Sequence, residues 1–422
     1  MTEIVHKTLA CGIECGVVPF PHRHIVAFQI RVLAGACDEP EDRLGVARLV
    51  AETLDKGTQR RSGRELFDAF DALGASCSSV SGREAITIGC IVLPEHFERA
   101  VALHAEMLRT PTFPDDAVEV NVELARQELE ALEDDAQDLL AKLFGVPAFG
   151  PLLGRHPLGE KETLDRTTRD DLESFWRSYF SAGRMVVTAA GAVTADRVAA
   201  VFEEHFNGFG ARNKQGRSDT AVAFTPGNVH HDKDLEQVNI GICWPAVDAT
   251  HDDFPVQQVM LGVLSGGMSA RLFTEVREKQ GLAYWVSAWQ ENPRGSGRVF
   301  LAASTTAERC ARTYTTLLRE VDRIAEDLSD DELQRAITGI LASRETRGDS
   351  TRARCVELAN DLFYFGRPVP DAEKIEKIQG VSVADIRRYL ADHSRRDLCV
   401  LTLGPAKLTQ LEHSSGQGGN GR

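Results

Sequence analysis

The apolar positions of this chain follow two periods in turn, and the switches between them predict its elements. Residues 7–19 alternate apolar and polar around Gly12 and Gly16, as in an edge hairpin. Ile25–Leu33 is apolar and β-branched, the pattern of a central strand. Leu44, Ala47, Val50, Ala51 and Leu54 then fall at helical spacing. Ser62 with Glu65 has capping-box form and opens a second helix along Leu66, Phe67, Phe70 and Leu73. Gly74–Ser81 and Ala85–Leu93 read as two antiparallel strands, 95–108 and 115–134 as helices. Ala136–Phe144 continues helical before a glycine- and proline-rich loop, Gly145–Gly159. Thr168–Phe180 is helix, Met185–Gly191 strand and Ala195–Phe206 helix.

The pattern then repeats. Thr168-Arg-Asp-Asp-Leu172 aligns with Ser382-Val-Ala-Asp-Ile386, and the same offset places Met185-Val-Val-Thr188 on Cys399-Val-Leu-Thr402. Two matches at one offset, near half the chain length, point to an internal duplication. Gly208–Thr220 is glycine-rich and polar, the composition of a linker, and Val238–Trp244 opens the second copy as a strand. His413–Arg422 is rich in glycine and serine and reads as disordered.

Chemistry concentrates in Leu264–Ala288. The breaker pair Gly266-Gly267 precedes a helical run with Leu272, Phe273 and Val276 on one side and Glu275, Arg277, Glu278 and Lys279 on the other. Gly281 suits the residue after a helix, and Ala283-Tyr284-Trp285-Val286 reads as a strand. Arg271 thus opens a helix and Tyr284 a strand.

Composition narrows the function classes. The chain has 422 residues, more than one typical core, with 42% hydrophobic and 26% charged residues, ordinary for a globular protein. A net charge of −15 argues against nucleic acid and anionic membrane as partners. Nine cysteines, an odd number scattered through apolar runs, form no secreted disulfide framework; reduced thiols and a cytoplasmic location are expected. The N-terminus lacks a signal-peptide core, and no apolar run approaches the ~18 residues of a membrane span. The pairs His22/His24 and His230/His231 are expected in loops, as solvent-exposed side chains.

The pattern Gly-Gly-Met-Ser-x-Arg-Leu-Phe, then Val-Arg-Glu-Lys, then Gly-Leu-Ala-Tyr resembles the second half of pitrilysin-like (insulinase-type) zinc peptidases. The resemblance covers essentially residues 5–405. It implies that Arg271 and Tyr284 reach the substrate at a zinc centre across a closed cavity, with Gly266, Gly267, Met268 and Ser269 as substrate contacts. It also implies where the zinc motif stands. The family's Gly-x-Ala-His-x-x-Glu-His followed by Lys-Gly-Thr leaves its frame here as Gly45-Val46-Ala47 and Lys56-Gly57-Thr58, with other chemistry between. Arg48 takes the first His position, Ala51 the Glu position and Glu52 the second His position, while the third ligand falls on the retained Glu128. A guanidinium has no lone pair for a metal, and a methyl group cannot activate water. Arg48, Glu52 and Glu128 are therefore expected to form a structural ion pair, with no metal. The implied fold class is α+β: two homologous domains, 1–207 and 223–412, each a mixed, mostly antiparallel sheet with helices packed on one face, joined by a linker at 208–222 and followed by the tail 413–422.

A donor pair without metal or base cannot hydrolyse an amide. The resemblance therefore implies the zinc-less subunit of a heterodimeric metallopeptidase. A homologous partner would bring zinc and general base; this chain, with no cofactor of its own, would bring Arg271, Tyr284 and cavity wall to a peptide or unfolded substrate. The alternative is a catalytically inactive peptide-binding or scaffold homodimer.

Overall fold

A computed structural model describes residues 4–210 and 222–408. Most of the expected linker and all of the tail 413–422 lie outside the described residues. The first half builds a six-stranded sheet from β1 (Val5–Thr8), β2 (Glu14–Pro19), β3 (Val26–Val32), β4 (Ser76–Ser81), β5 (Ile86–Val92) and β6 (Met185–Gly191), in the order β1-β2-β6-β3-β5-β4. The second builds a five-stranded sheet from β7 (Gly227–His231), β8 (Val238–Ala246), β9 (Ala283–Glu291), β10 (Gly297–Thr305) and β11 (Cys399–Leu403), in the order β7-β11-β8-β10-β9. The orders superpose when β2, β6, β3, β5, β4 are laid on β7, β11, β8, β10, β9. In each sheet one pair is parallel, β2 with β6 and β11 with β7, and the rest are antiparallel.

The duplication read from the sequence is visible down to its caps. Thr168 N–H donates to Asp171 Oδ2 at 2.8 Å ahead of the helix Arg169–Tyr179. Ser382 N–H donates to Asp385 Oδ2 at 3.0 Å ahead of Val383–Asp392. Each reciprocal cap satisfies helix N-terminal N–H groups that would otherwise lack acceptors.

Each half packs its own helices on one face of its sheet, and the opposite face receives a helix from the other half. Leu139, Leu140, Phe144 and Phe149 of the first-half helix Ala136–Leu153 pack on Cys243, Phe300, Leu401 and Leu403 of the second sheet. Cys355, Leu358 and Leu362 of the second-half helix Thr351–Phe365 pack on Val18, Ala27, Val186 and Ala190 of the first. A missing side chain admits each visitor: a Cβ on Gly241 would stand 2.1 Å from the Phe144 ring, and one on Gly16 2.9 Å from Leu358 and Leu362. Thr188 Oγ1 also donates to the Cys355 carbonyl at 3.0 Å, and Arg31 to Asn360 Oδ1 at 2.9 Å.

Two expectations change here. The loop expected at Gly145–Gly159 is helical as far as Leu153, with a kink where Gly150 takes a φ of 77°. Its glycines serve close approach rather than looseness, since a Cβ on Gly145 would meet the Gly154 carbonyl at 2.2 Å. His230 and His231 lie on β7 rather than in a loop, with His230 Nδ1 2.9 Å from Thr402 Oγ1 on β11. His22 and His24 are exposed, outside strand and helix.

Gly241→Ala should force the Phe144 ring out of place and cost about 1–3 kcal/mol, the usual penalty of overpacking. Alanine at the open, exposed Gly339 serves as the control for the same change. Urea unfolding of both variants measures the difference.

Candidate functional site

Arg48, Ala51 and Glu52 lie on the helix Val46–Thr53, whose start is fixed from several sides. Gly45 holds a φ of 98°, where an L side chain is strained. The buried Glu39 carboxylate accepts from Gly45 N–H and Ala47 N–H, both at 2.9 Å. The segment leaving the visiting helix closes over this turn: Arg155 donates to the Glu39 carbonyl, and Thr163 Oγ1 to the Leu44 carbonyl at 2.7 Å.

On this helix Arg48 is 6% exposed. Its Nε donates to Glu52 Oε1 at 2.8 Å, and its Nη2 lies 2.7 Å from Glu128 Oε1, on the helix Asp115–Asp134. Nη1 is buried without a partner among the described residues. Ala51 is buried and offers a methyl group. The expected ion pair is therefore present in the geometry. Both carboxylates are engaged by the Arg48 guanidinium. These residues do not fit a zinc ion. His156 is electrostatically coupled to Arg48; burial, with Lys142, Arg83 and Arg48, pushes its imidazole down to about 4.

The second constellation departs from expectation. Arg271 and Tyr284 are not brought together. Arg271 is 6% exposed, and its Nε and Nη2 donate to Glu332 Oε1 and Oε2 at 2.8 and 2.9 Å. Its Nη1 donates to Asp327 Oδ1 at 2.7 Å. This bidentate grip uses the guanidinium's hydrogen-bonding faces. Burial opposes it, but Arg271 and the Ser329 cap hold Glu332 below the usual carboxylate range. Tyr284 is 76% exposed on β9, an edge strand. The guanidinium beside it belongs to Arg277, whose Cζ stands 5.3 Å from the Tyr284 ring centre and 4.8 Å from that of Phe273.

The winding of the intervening segment explains the exchange of arginines. Leu272–Glu278 is a π-helix rather than the expected α-helix, with Lys279 N–H donating to the Thr274 carbonyl at 2.9 Å. Wide turns of this kind shift which side chains share a face. Arg277 stands in the Val-Arg-Glu-Lys block, seven residues before Tyr284, and that nearness was the available signal. Gly281 has the left-handed conformation read from sequence, φ 56°. Gly266, Gly267 and Ser269 border a crevice with Glu332 and Arg335, while Met268 is 79% exposed.

Two duplicated α+β halves, each a mostly antiparallel sheet with helices on its faces, make up the fold. Residues 20–152 match the family described as Insulinase (Peptidase family M16), and 166–340 the Peptidase M16 inactive domain. An uncharacterized zinc protease of Mycobacterium tuberculosis is 28% identical over 414 residues, covering 94% of this chain and 92% of that protein. One from Rickettsia felis is 25% identical over 370 residues, covering 87% and 89%. A crystal structure titled peptidase M16 inactive domain, from Pseudomonas fluorescens, has the same fold, with a TM-score of 0.84 at 19% identity over 96% of this chain and 99% of that one. The chain belongs to the pitrilysin-like, insulinase-type peptidase family. Among the described residues no helix is long and apolar enough to cross a membrane.

Arg271→Ala should unfasten the π-helical segment from the Asp327–Glu332 corner and lower stability by about 2 kcal/mol, the scale of hydrogen bonds to charged groups. Chemical unfolding measures it. His156 gives a pH dependence. An unfolded histidine titrates near its ordinary 6.5 and the folded one at about 4, so the unfolded chain binds the extra proton in between and stability falls as pH falls. The loss should stay below about 3 kcal/mol, and His156→Gln should flatten the melting temperature between pH 6.5 and 5.

Proposed function

We propose that this chain is the zinc-less subunit of a heterodimeric metallopeptidase, completed by a homologous partner that supplies the metal and the general base. The observation that carries the reading is the contrast between the two halves. The metal position is closed by Arg48 held between Glu52 and Glu128. Tyr284 stands outward on an edge strand whose far side has no strand partner among the described residues, with Arg277 of the π-helical segment lying over its ring.

An extended peptide can add to such an edge through main-chain hydrogen bonds. The Tyr284 hydroxyl then donates to the substrate carbonyl, and more strongly once that oxygen becomes an oxyanion. Arg277 adds positive charge at the same point and orients the ring by lying over it. Arg271, which the resemblance placed in this role, holds the backbone from which both project. Met268, on the exposed glycine loop, offers an apolar contact to the substrate or to the partner's wall. Peptides and unfolded segments are the substrate class, since an added strand requires an extended main chain.

The test is a reconstituted pair with a zinc-bearing family member. Tyr284→Phe and Arg277→Ala should each lower kcat ~10²–10³-fold with KM little changed, the cost of removing an oxyanion donor. Full activity of both variants, or peptide cleavage by this chain alone, would sink the proposal. A stable homodimer that binds peptides without cutting them, and gains nothing from the zinc-bearing subunit, would instead support a scaffold role.

A further inference from the structure

A second constellation lies on the helix-covered face of the first sheet, at its β4 edge. Cys77 on β4 and Cys90 on β5 are directly opposed in the antiparallel register, and their Sγ atoms are 3.8 Å apart. His104, from the helix Phe97–Arg109, completes a trio whose ligand atoms all lie within 4.8 Å of one another. Cys90 is 2% exposed and His104 fully buried, whereas Cys77 is exposed.

The imidazole is the informative member. Its Nδ1 lies 2.7 Å from the Ala100 carbonyl, which can only accept, so Nδ1 carries the proton and Nε2 presents a lone pair. Phe28 and Phe70 stand edge-on to the ring at 5.1 and 4.9 Å and fix its orientation. Nε2 interacts with the Cys77 thiol but makes no hydrogen bond of good geometry among the described residues. A buried polar atom left in this way is costly unless something occupies the place beside it.

We propose that Cys77, Cys90 and His104 bind a soft divalent cation of the zinc type, with a fourth position open to solvent beside Cys77. Tetrahedral coordination with metal–sulfur bonds of about 2.3 Å separates two thiolates by about 3.8 Å, which is the spacing the two sulfurs already have. The Nδ1–H bond to a backbone carbonyl is the outer-shell contact that orients a ligating histidine. Asp55, electrostatically coupled to Cys77, adds negative charge that favours a cation. A disulfide between the cysteines would require the sulfurs to close to about 2.0 Å and would leave Nε2 unpartnered. Binding displaces the thiol proton of Cys90, so affinity rises with pH. This site shares no residue with the Arg48 position and stands whether or not the chain joins a heterodimer.

The experiment titrates Co²⁺ into the reduced, unaccompanied chain under argon. The expected result is a thiolate-to-cobalt charge-transfer band saturating at one ion per chain and bleached by Zn²⁺. Loss of an outer-shell partner alone weakens a metal ~10-fold or more, so Cys77→Ser, a change at an exposed position, should weaken binding by at least that factor and keep the fold. Zn²⁺ should raise the melting temperature of the wild type and not of Cys77→Ser. No band from the folded wild type, an unchanged band in Cys77→Ser, or a Cys77–Cys90 disulfide in a chain that binds no cobalt when reduced would each overturn the proposal.

Discussion

The structure depends on an exchange. Neither sheet could stand alone in water, because each turns an apolar face away from its own helices: Val18, Ala27, Val186 and Ala190 in the first, Phe300, Leu401 and Leu403 in the second. The helix that covers each face comes from the other half. At roughly 25 cal/mol for each Å² of apolar surface removed from water, two such faces are a large fraction of what holds a domain together. The helices Ala136–Leu153 and Thr351–Phe365 each follow the same pair of long helices in their own half, Phe97–Arg109 with Asp115–Asp134 and Cys310–Asp327 with Asp330–Gly348. The duplication therefore copied the crossing element along with the sheet, and the two halves fold around each other.

The exchange also reaches the degenerate site. The chain leaving the visiting first-half helix runs straight into the residues that lock the start of Val46–Thr53, through Arg155 to Glu39 and Thr163 to Leu44. The placement of Arg48 is thus coupled to the seating of a helix on the other half's sheet. A metalloenzyme needs this rigidity to hold ligands at fixed distances. Here the same rigidity holds a guanidinium between two carboxylates.

Much of this was legible in the sequence, because periodicity reports local structure well. Met185–Gly191 and Ala195–Phe206 end where the pattern ends, and the Ser62–Glu65 capping box forms as written. The ion pair followed from three residue identities, Arg48, Glu52 and Glu128, in a frame that the resemblance implied. What stayed hidden depends on contacts between segments distant along the chain. Thr351, Cys355, Leu358 and Leu362 form an apolar stripe at helical spacing, but nothing in that stripe says which sheet it meets. Gly145 looks like a loop glycine until Gly154 is opposite it. The resemblance makes Arg271 the partner of Tyr284, but a π-helical winding turns it toward Asp327 and Glu332 and turns Arg277 toward Tyr284. Cys77, Cys90 and His104 have no motif spacing at all, because strand register and a neighbouring helix bring them together.

Comparing the two halves gives the buried arginines a common logic. In each, the segment that follows the central strand carries an arginine 6% exposed, and in each that arginine reaches a carboxylate on the second of the two long helices, Glu128 on Asp115–Asp134 or Glu332 on Asp330–Gly348. A second carboxylate completes the charge balance, Glu52 in one and Asp327 in the other. Burying a guanidinium is tolerable only with such pairing, and removing one partner leaves an uncompensated charge. Both halves thus use the same chemistry on the second long helix, but fasten different elements to it: the helix Val46–Thr53 in one, and in the other the π-helical segment that comes after the helix Phe254–Ser265. In the first, the fastening places the Arg48 guanidinium between Glu52 and Glu128. In the second, the fastening lies at the start of the π-helical segment, which carries Arg277 beside the exposed Tyr284 of β9. The division of labour proposed for this subunit follows from where an arginine between two acids happens to sit within each copy of one fold.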